Sequence, residues 1–150
     1  MEKIPWSIKK IVNFIFARRF TVAELEMILP PLPEAWYEVG SRMEQNGRLE
    51  EAEIFYRAAI DFGENSEINP SYFRSLYQLN LRQDKQQDAL ETLRLGISYL
   101  PDYSPFRVEL GDYYLRQKIY YRAEQEYIRA LQLDPNNRRI LRKLEQAQQR

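Results

Sequence analysis

The sequence predicts an all-α fold, and three observations carry that prediction. The first is self-similarity: Leu110-Gly111, Tyr114, Ala123, Tyr127, Ala130 and Pro135 have counterparts in Trp36, Val39-Gly40, Met43, Ala52, Tyr56 and Ala59. A looser copy lies between them in Phe73, Leu76, Ala89, Leu93, Gly96 and Pro101. The second is punctuation, because Pro30-Pro31-Leu32-Pro33, Gly47, Asn69-Pro70, Ser104-Pro105 and Pro135 stand where helices must start or stop. The third is that both ends of the chain are amphipathic at helical spacing.

In chain order, Pro5 to Arg19 reads as a helix with proline in its opening turn, where the missing N–H is not needed. At 100° per residue, Ile8, Ile11, Val12, Phe14, Ile15 and Phe16 share one broad arc, with Lys9, Lys10 and Asn13 opposite. Three uses of that arc stay open: a cap folded onto the first repeat, contact with a second copy or a partner, or a seat on anionic lipid. The last would use Trp6, Phe14 and Phe16 with Lys9, Lys10, Arg18 and Arg19. Thr21 with Glu24 makes a capping box for a short helix, Val22 to Leu29. The prolines that follow end it, so residues 1–33 form an N-terminal segment and 34–150 the repeats.

Helix pairs are expected at 34–46 and 50–62, 70–83 and 86–99, and 105–117 and 120–133. Asn69 and Ser104 are read as N-caps before a proline at the first helical position. Ala89 to Ala123 is 34 residues and Ala52 to Ala89 is 37, so three extra residues fall within Gly63-Glu64-Asn65-Ser66-Glu67-Ile68. After Pro135, Asn136 or Asn137 caps a last helix with Ile140, Leu141, Leu144 and Ala147 on one face.

This grammar resembles the tetratricopeptide repeat (TPR) family: Leu-Gly, Tyr three residues on, a small residue, an aromatic four further, and a closing proline. The resemblance implies a right-handed solenoid of three helix-turn-helix repeats, with the N-terminal amphipathic helix and a C-terminal capping helix around it. Gly40 and Ala52 are small because the paired helices cross closely there. Repeat two departs from the family, with Tyr77 for the usual glycine and Asn80 for the usual aromatic. That predicts a widened crossing or displaced neighbours in the middle of the array.

Composition removes several classes of function. Without cysteine or histidine there are no disulfides, no zinc sites of the usual kind and no histidine base. The five glycines are scattered, so no phosphate-cradling loop is visible. Glu50, Glu51 and Glu53, like Glu124 and Glu126, read as solvated helix faces rather than catalytic pairs. No enzyme, cofactor or metal is expected. The net charge is zero but uneven: residues 1–23 hold five bases and one acid, 24–67 three and eleven, and 68–150 fourteen and ten. An acidic first repeat argues against nucleic acid. No apolar run approaches the ~20 residues of a membrane span, and Ile11 to Ala17 is short for a signal core and lacks a cleavage site. A cytoplasmic protein is expected, at most peripheral at the inner face of a membrane.

The resemblance also implies a site. In TPR proteins the first helix of each pair lines a concave groove, and the corresponding places here are Tyr37, Ser41, Glu44 and Gln45, then Arg74, Gln78, Leu81 and Arg82, then Val108, Asp112, Leu115 and Arg116. Such a surface suits an extended or helical peptide of a protein partner. Cochaperones that clamp a terminal carboxylate carry lysine, asparagine and arginine at places that hold Tyr37, Ser41, Ser75, Pro105 and Glu109 here, so no clamp is expected. Two uses of the scaffold follow: an adaptor that assembles a complex, or a small chaperone of a secretion or assembly system like those of type III systems. A homo-oligomer through the N-terminal helix is a further option.

Overall fold

The computed structural model describes residues 6–17, 20–63 and 68–149. The expectations that involve Pro5, Arg18, Arg19, residues 64–67 and Arg150, and the side chains of Trp6 and Lys9, lie outside the described residues. The fold is all-α, with helix-turn-helix pairs flanked by single helices and no strand among the described residues. The helices are α1 (Trp6–Ala17), α2 (Val22–Ile28), α3 (Pro33–Gln45), α4 (Leu49–Gly63), α5 (Pro70–Arg82), α6 (Gln86–Tyr99), α7 (Ser104–Arg116), α8 (Tyr120–Leu133) and α9 (Arg138–Gln148). Their ends fall within one or two residues of the expected ones. Contacts divide the chain into two compact units, Met1–Leu79 and Asn80–Arg150.

In the first unit α3 and α4 pair through Gly40, where an added Cβ would stand 2.9 Å from Tyr56 Cδ1 and 3.2 Å from Phe55 Cβ. Trp36 is buried in the same hairpin against the rings of Phe55 and Phe62, at 5.6 and 5.2 Å. Its indole N–H donates to the Pro30 carbonyl at 2.9 Å, which ties the proline-rich turn to the hairpin. α1 packs on α3, with Ile8, Val12 and Ile15 buried. Arg42 of α3 donates to Asn13 Oδ1 at 3.3 Å and lies 5.6 Å from the Phe16 ring centroid. The buried stripe is narrower than the apolar arc, for Phe14 is 49% exposed, its ring tilted against that of Phe20 at 6.0 Å. The Thr21–Glu24 capping box is present with both of its hydrogen bonds.

In the second unit α7 and α8 repeat the hairpin around Gly111, and α6 approaches α7 where a Cβ on Gly96 would meet Phe106 Cε2 at 2.9 Å. Asn137 caps α9, accepting from the N–H groups of Arg139 and Ile140 at 3.1 and 3.3 Å. α9 packs on α8 and buries Ile140 and Ala147, whereas Leu141, expected on that face, stays 41% exposed. The N-cap of α7 also differs from expectation: it is Tyr103, with no side-chain capping bond, and Ser104 is already helical. The Tyr103 ring instead packs edge-on against Phe106, at 4.8 Å. Asn69 does accept from the Ser71 N–H at 2.9 Å, as an N-cap before Pro70 should.

The three turns within the pairs share one backbone device. Gly47, Asp84 and Lys118, spaced by 37 and 34 residues, all have positive φ, at 77°, 58° and 57°. After each, the next N–H reaches back across the helix end: Arg48 to Met43 O at 3.0 Å, Lys85 to Asn80 O at 2.9 Å and Ile119 to Tyr114 O at 2.9 Å. This closes the free carbonyls of the first helix in the manner of a left-handed C-terminal cap. Only the first repeat uses the glycine that this conformation favours. Lys118→Gly is therefore expected to raise stability by about 0.5–1 kcal/mol, relief of the Cβ strain outweighing the added freedom of the unfolded chain. Urea unfolding reads the difference, and an unchanged midpoint would show that the turn is not strained.

The departures of repeat two are buried side chains. At the two registers that hold Gly and Tyr in the other repeats it has Tyr77 and Leu93, and both are buried, at 2% and 0% exposure. Asn80 is fully buried in the aromatic's place, where its amide donates to Thr92 Oγ1 at 3.3 Å. Thr92 Oγ1 in turn donates to the Asp88 carbonyl at 2.8 Å. A small polar pair thus stands in the core where an aromatic is usual.

Candidate functional site

α3 and the first part of α5 bring Tyr37, Arg74 and Gln78 together with Ser71 and Ser75 around an open recess of about 240 Å³. The Tyr37 ring is held from two sides, 5.5 Å from the Tyr56 ring and 5.0 Å from that of Tyr72. Its hydroxyl shares a hydrogen bond of 3.1 Å with Ser75. Arg74 and Gln78 are exposed beside it, one turn apart on α5. The result is a fixed aromatic wall with hydroxyls, an amide and a guanidinium on one side. Ser71 and Ser75 complete it because they lie one turn apart on the same face, a spacing visible in the sequence but masked by their small size.

Ser41 and Glu44 also lie on α3 but do not line this recess. Ser41 Oγ accepts from Gln45 at 3.4 Å, and Glu44 Oε2 accepts from the Tyr56 hydroxyl at 2.6 Å. In the second unit Asp112 is held the same way, accepting from the Tyr127 hydroxyl at 2.7 Å and from Lys143 Nζ of α9 at 2.6 and 2.8 Å. Burial first, and the neighbouring carboxylate second, push both phenols well above the usual tyrosine range. Each tyrosine stays a neutral donor, and its carboxylate is engaged within the fold. Val108 and Leu115 are half-buried on α7, Leu81 and Arg82 sit in the last turn of α5, and Arg116 is exposed at the end of α7.

A second recess, of about 390 Å³, was not foreseen. It lies on the other helices of the second unit, with Arg94 from α6, Tyr114 from α7, and Tyr121, Arg122, Gln125 and Arg129 from α8 around Glu126. Glu126, expected on a solvated face, is buried at 7% exposure. Its Oε2 accepts from Arg107 at 3.0 Å and its Oε1 from Arg129 at 2.6 Å, which offsets the cost of burying the carboxylate. Its signal in the sequence is a stripe at helical spacing, Arg122, Glu126 and Arg129. Among the described residues no cluster of acidic side chains is arranged to hold a metal ion. No helix among them is long and apolar enough to cross a membrane.

Comparison with known proteins agrees with this geometry. Residues 33–62 and 105–137 match the family model described as tetratricopeptide repeat. These are the first and third pairs, and the unmatched one is the pair that carries Tyr77 and Asn80. No curated protein matches the sequence. Among solved structures, the chain is similar to the first TPR of Spaghetti (RPAP3) bound to the HSP90 peptide SRMEEVD, with 21% identity, a TM-score of 0.62, and coverage of 78% of this chain and 90% of that one. It is also similar to MamA, at 17% identity and a TM-score of 0.65 over 84% and 72% of the two chains. For the Arabidopsis OM64 TPR domain the values are 19%, 0.60, 77% and 93%. The chain is an all-α fold of helix-turn-helix units with flanking single helices, in which residues 33–62 and 105–137 are tetratricopeptide repeats.

Proposed function

We propose that the chain is a non-enzymatic scaffold that holds a peptide of a protein partner on the first helices of its pairs, with the α3–α5 recess as the anchoring point. The observation that carries this reading is the Tyr37 ring, immobilised between Tyr56 and Tyr72 with its hydroxyl on Ser75, beside exposed Arg74 and Gln78. A rigid aromatic next to a guanidinium loses little entropy on binding and offers both an apolar contact and a charge-assisted hydrogen bond. By register, Leu81, Val108 and Leu115 are further apolar candidates for partner contact, and Arg82 and Arg116 further charged ones. The reading needs no catalytic group, in keeping with carboxylates that are tied to tyrosine, lysine and arginine partners within the fold.

The Spaghetti domain is bound to the HSP90 peptide SRMEEVD, which is rich in acidic residues. This chain has Tyr37 and Ser75, bonded to each other, at two of the clamp places. The expected guest is therefore an internal segment with a carboxylate or carbonyl for Arg74 and Gln78, and not a chain terminus. Adaptor and chaperone uses share this surface and differ in the lifetime of the complex.

The test uses the full chain as bait in its native lysate, followed by binding measurements on the recovered partner. Arg74→Glu is expected to weaken that partner at least tenfold, and Leu81→Glu with Leu115→Glu to abolish binding, with helicity by circular dichroism unchanged. Unaltered affinity in both variants would place the partner elsewhere on the molecule.

A further inference from the structure

We infer that the recess between α6, α7 and α8 is a second binding site, for an oxyanion carried on an acidic protein segment. The inference stands on charge that the fold leaves over. Glu126 is the carboxylate within the recess, and each of its oxygens already accepts a guanidinium, from Arg107 and from Arg129. Arg94 and Arg122 face the same space and, among the described residues, neither forms an ion pair. Arg94 donates only a long 3.4 Å bond to the Tyr114 hydroxyl, and Arg122 lies 5.5 Å from the Tyr114 ring centroid. Three guanidiniums, those of Arg94, Arg122 and Arg129, thus line the space against one carboxylate, which Arg107 also reaches.

Tyr114 gives these two cations a common platform. The ring is buried at 6% exposure, with Arg94 at its hydroxyl and Arg122 over its face, where a guanidinium is held by its π-electrons without using its N–H donors. A carboxylate or phosphoryl group offers the bidentate geometry that the guanidinium fork matches. The recess, at about 390 Å³, is many times the ~30 Å³ share of one water. It therefore has room for a side chain bearing the anion, and Tyr121, 66% exposed at its rim, supplies an apolar flank for the adjoining residue. A peptide fits this combination better than a bare ion. The surrounding unit agrees in sign, with thirteen bases against ten acids over residues 80–150, while residues 1–79 hold nine and twelve.

This site is distinct from the α3–α5 recess, so the two are tested apart. Fluorescein-labelled peptides are titrated into the full chain by anisotropy: a glutamate-alanine peptide with one tyrosine, its phosphotyrosine form, and a glutamine-alanine control. Backbone amide shifts of the labelled protein are followed in parallel. The acidic peptides are expected to bind, the glutamine control not to, and affinity to fall at least threefold between 50 and 200 mM salt, as exposed charge pairs are screened. Amides around Arg94, Tyr121 and Arg122 should shift, and those around Tyr37 and Ser75 should not. Arg94→Gln with Arg122→Gln, both exposed, should cost at least tenfold with an unchanged melting temperature. The tighter of the two acidic peptides assigns the anion as carboxylate or phosphoryl. Equal affinity in the double variant, or shifts confined to the α3–α5 recess, would overturn the site. Inorganic phosphate matching the peptides in affinity would overturn the peptide ligand.

Discussion

Gly111→Ala is expected to destabilise the protein by about 2 kcal/mol, within the usual range for overpacking a tight core. The added Cβ would stand 2.5 Å from Cε1 and 2.8 Å from Cδ1 of Tyr127, closer than carbon atoms in unstrained contact. Ordinarily a ring yields by a few tenths of an ångström. This one has nowhere to go, being fully buried with its hydroxyl bonded to Asp112, which Lys143 holds in turn. The equivalent Gly40→Ala should cost less, because its nearest ring atom, Tyr56 Cδ1, lies at 2.9 Å. Repeat two suggests how to separate the clash from other effects, since it pairs a large residue with Leu93 at the tyrosine register. In a Tyr127→Leu background, itself less stable, Gly111→Ala should cost under about 0.5 kcal/mol, giving a coupling of over 1 kcal/mol between adjacent sites. Urea unfolding of the four proteins closes the cycle. Additive costs would mean that the glycine is small for a reason other than the ring.

What was legible in the sequence and what was not divides along physical lines. Helix starts and stops were readable because proline, glycine and the Thr21–Glu24 box act on the backbone locally, within a turn of where they stand. Gly40 and Gly111 were readable because a missing Cβ has one common cause in paired helices. In repeat two Tyr77 departs from the family together with Leu93 sixteen residues later, and both are buried. Volume is conserved by pairs and not by single residues. Lys118 hid a left-handed turn that glycine marks openly at 47. For the candidate sites the limit was different. The residues of the first helices could be named by register, but register could not tell that Glu44 and Asp112 are taken up by tyrosine hydroxyls, or that Ser75 bonds to Tyr37. Glu126 shows the reverse case, an acid on an amphipathic helix that is buried because two arginines reach it.

Val12→Asp is expected to release α1 from α3, at a cost of about 3–5 kcal/mol. Val12 is 3% exposed between Ile8 and Ile15, which are equally buried, and each such aliphatic side chain contributes roughly 1.5–3 kcal/mol when withdrawn from water. A carboxylate in that row would be a buried charge, and nothing described beside it supplies a compensating cation: Arg42 is committed to Asn13 and the Phe16 ring. The cheaper response is for the helix to leave its seat, so the cost is limited to the docking energy of α1 and the remaining helices persist. Hydrogen exchange should show α1 amides losing protection while those of α7 and α8 keep theirs. The same reasoning predicts how the intact chain behaves with lipid. An amphipathic helix binds a vesicle through its apolar stripe, and here Ile8, Val12 and Ile15 already spend that stripe on α3. The intact chain should stay at the bottom of a flotation gradient with anionic vesicles. If it floats instead, and its α1 amides are unprotected in the absence of lipid, the helix is a membrane anchor and not a cap.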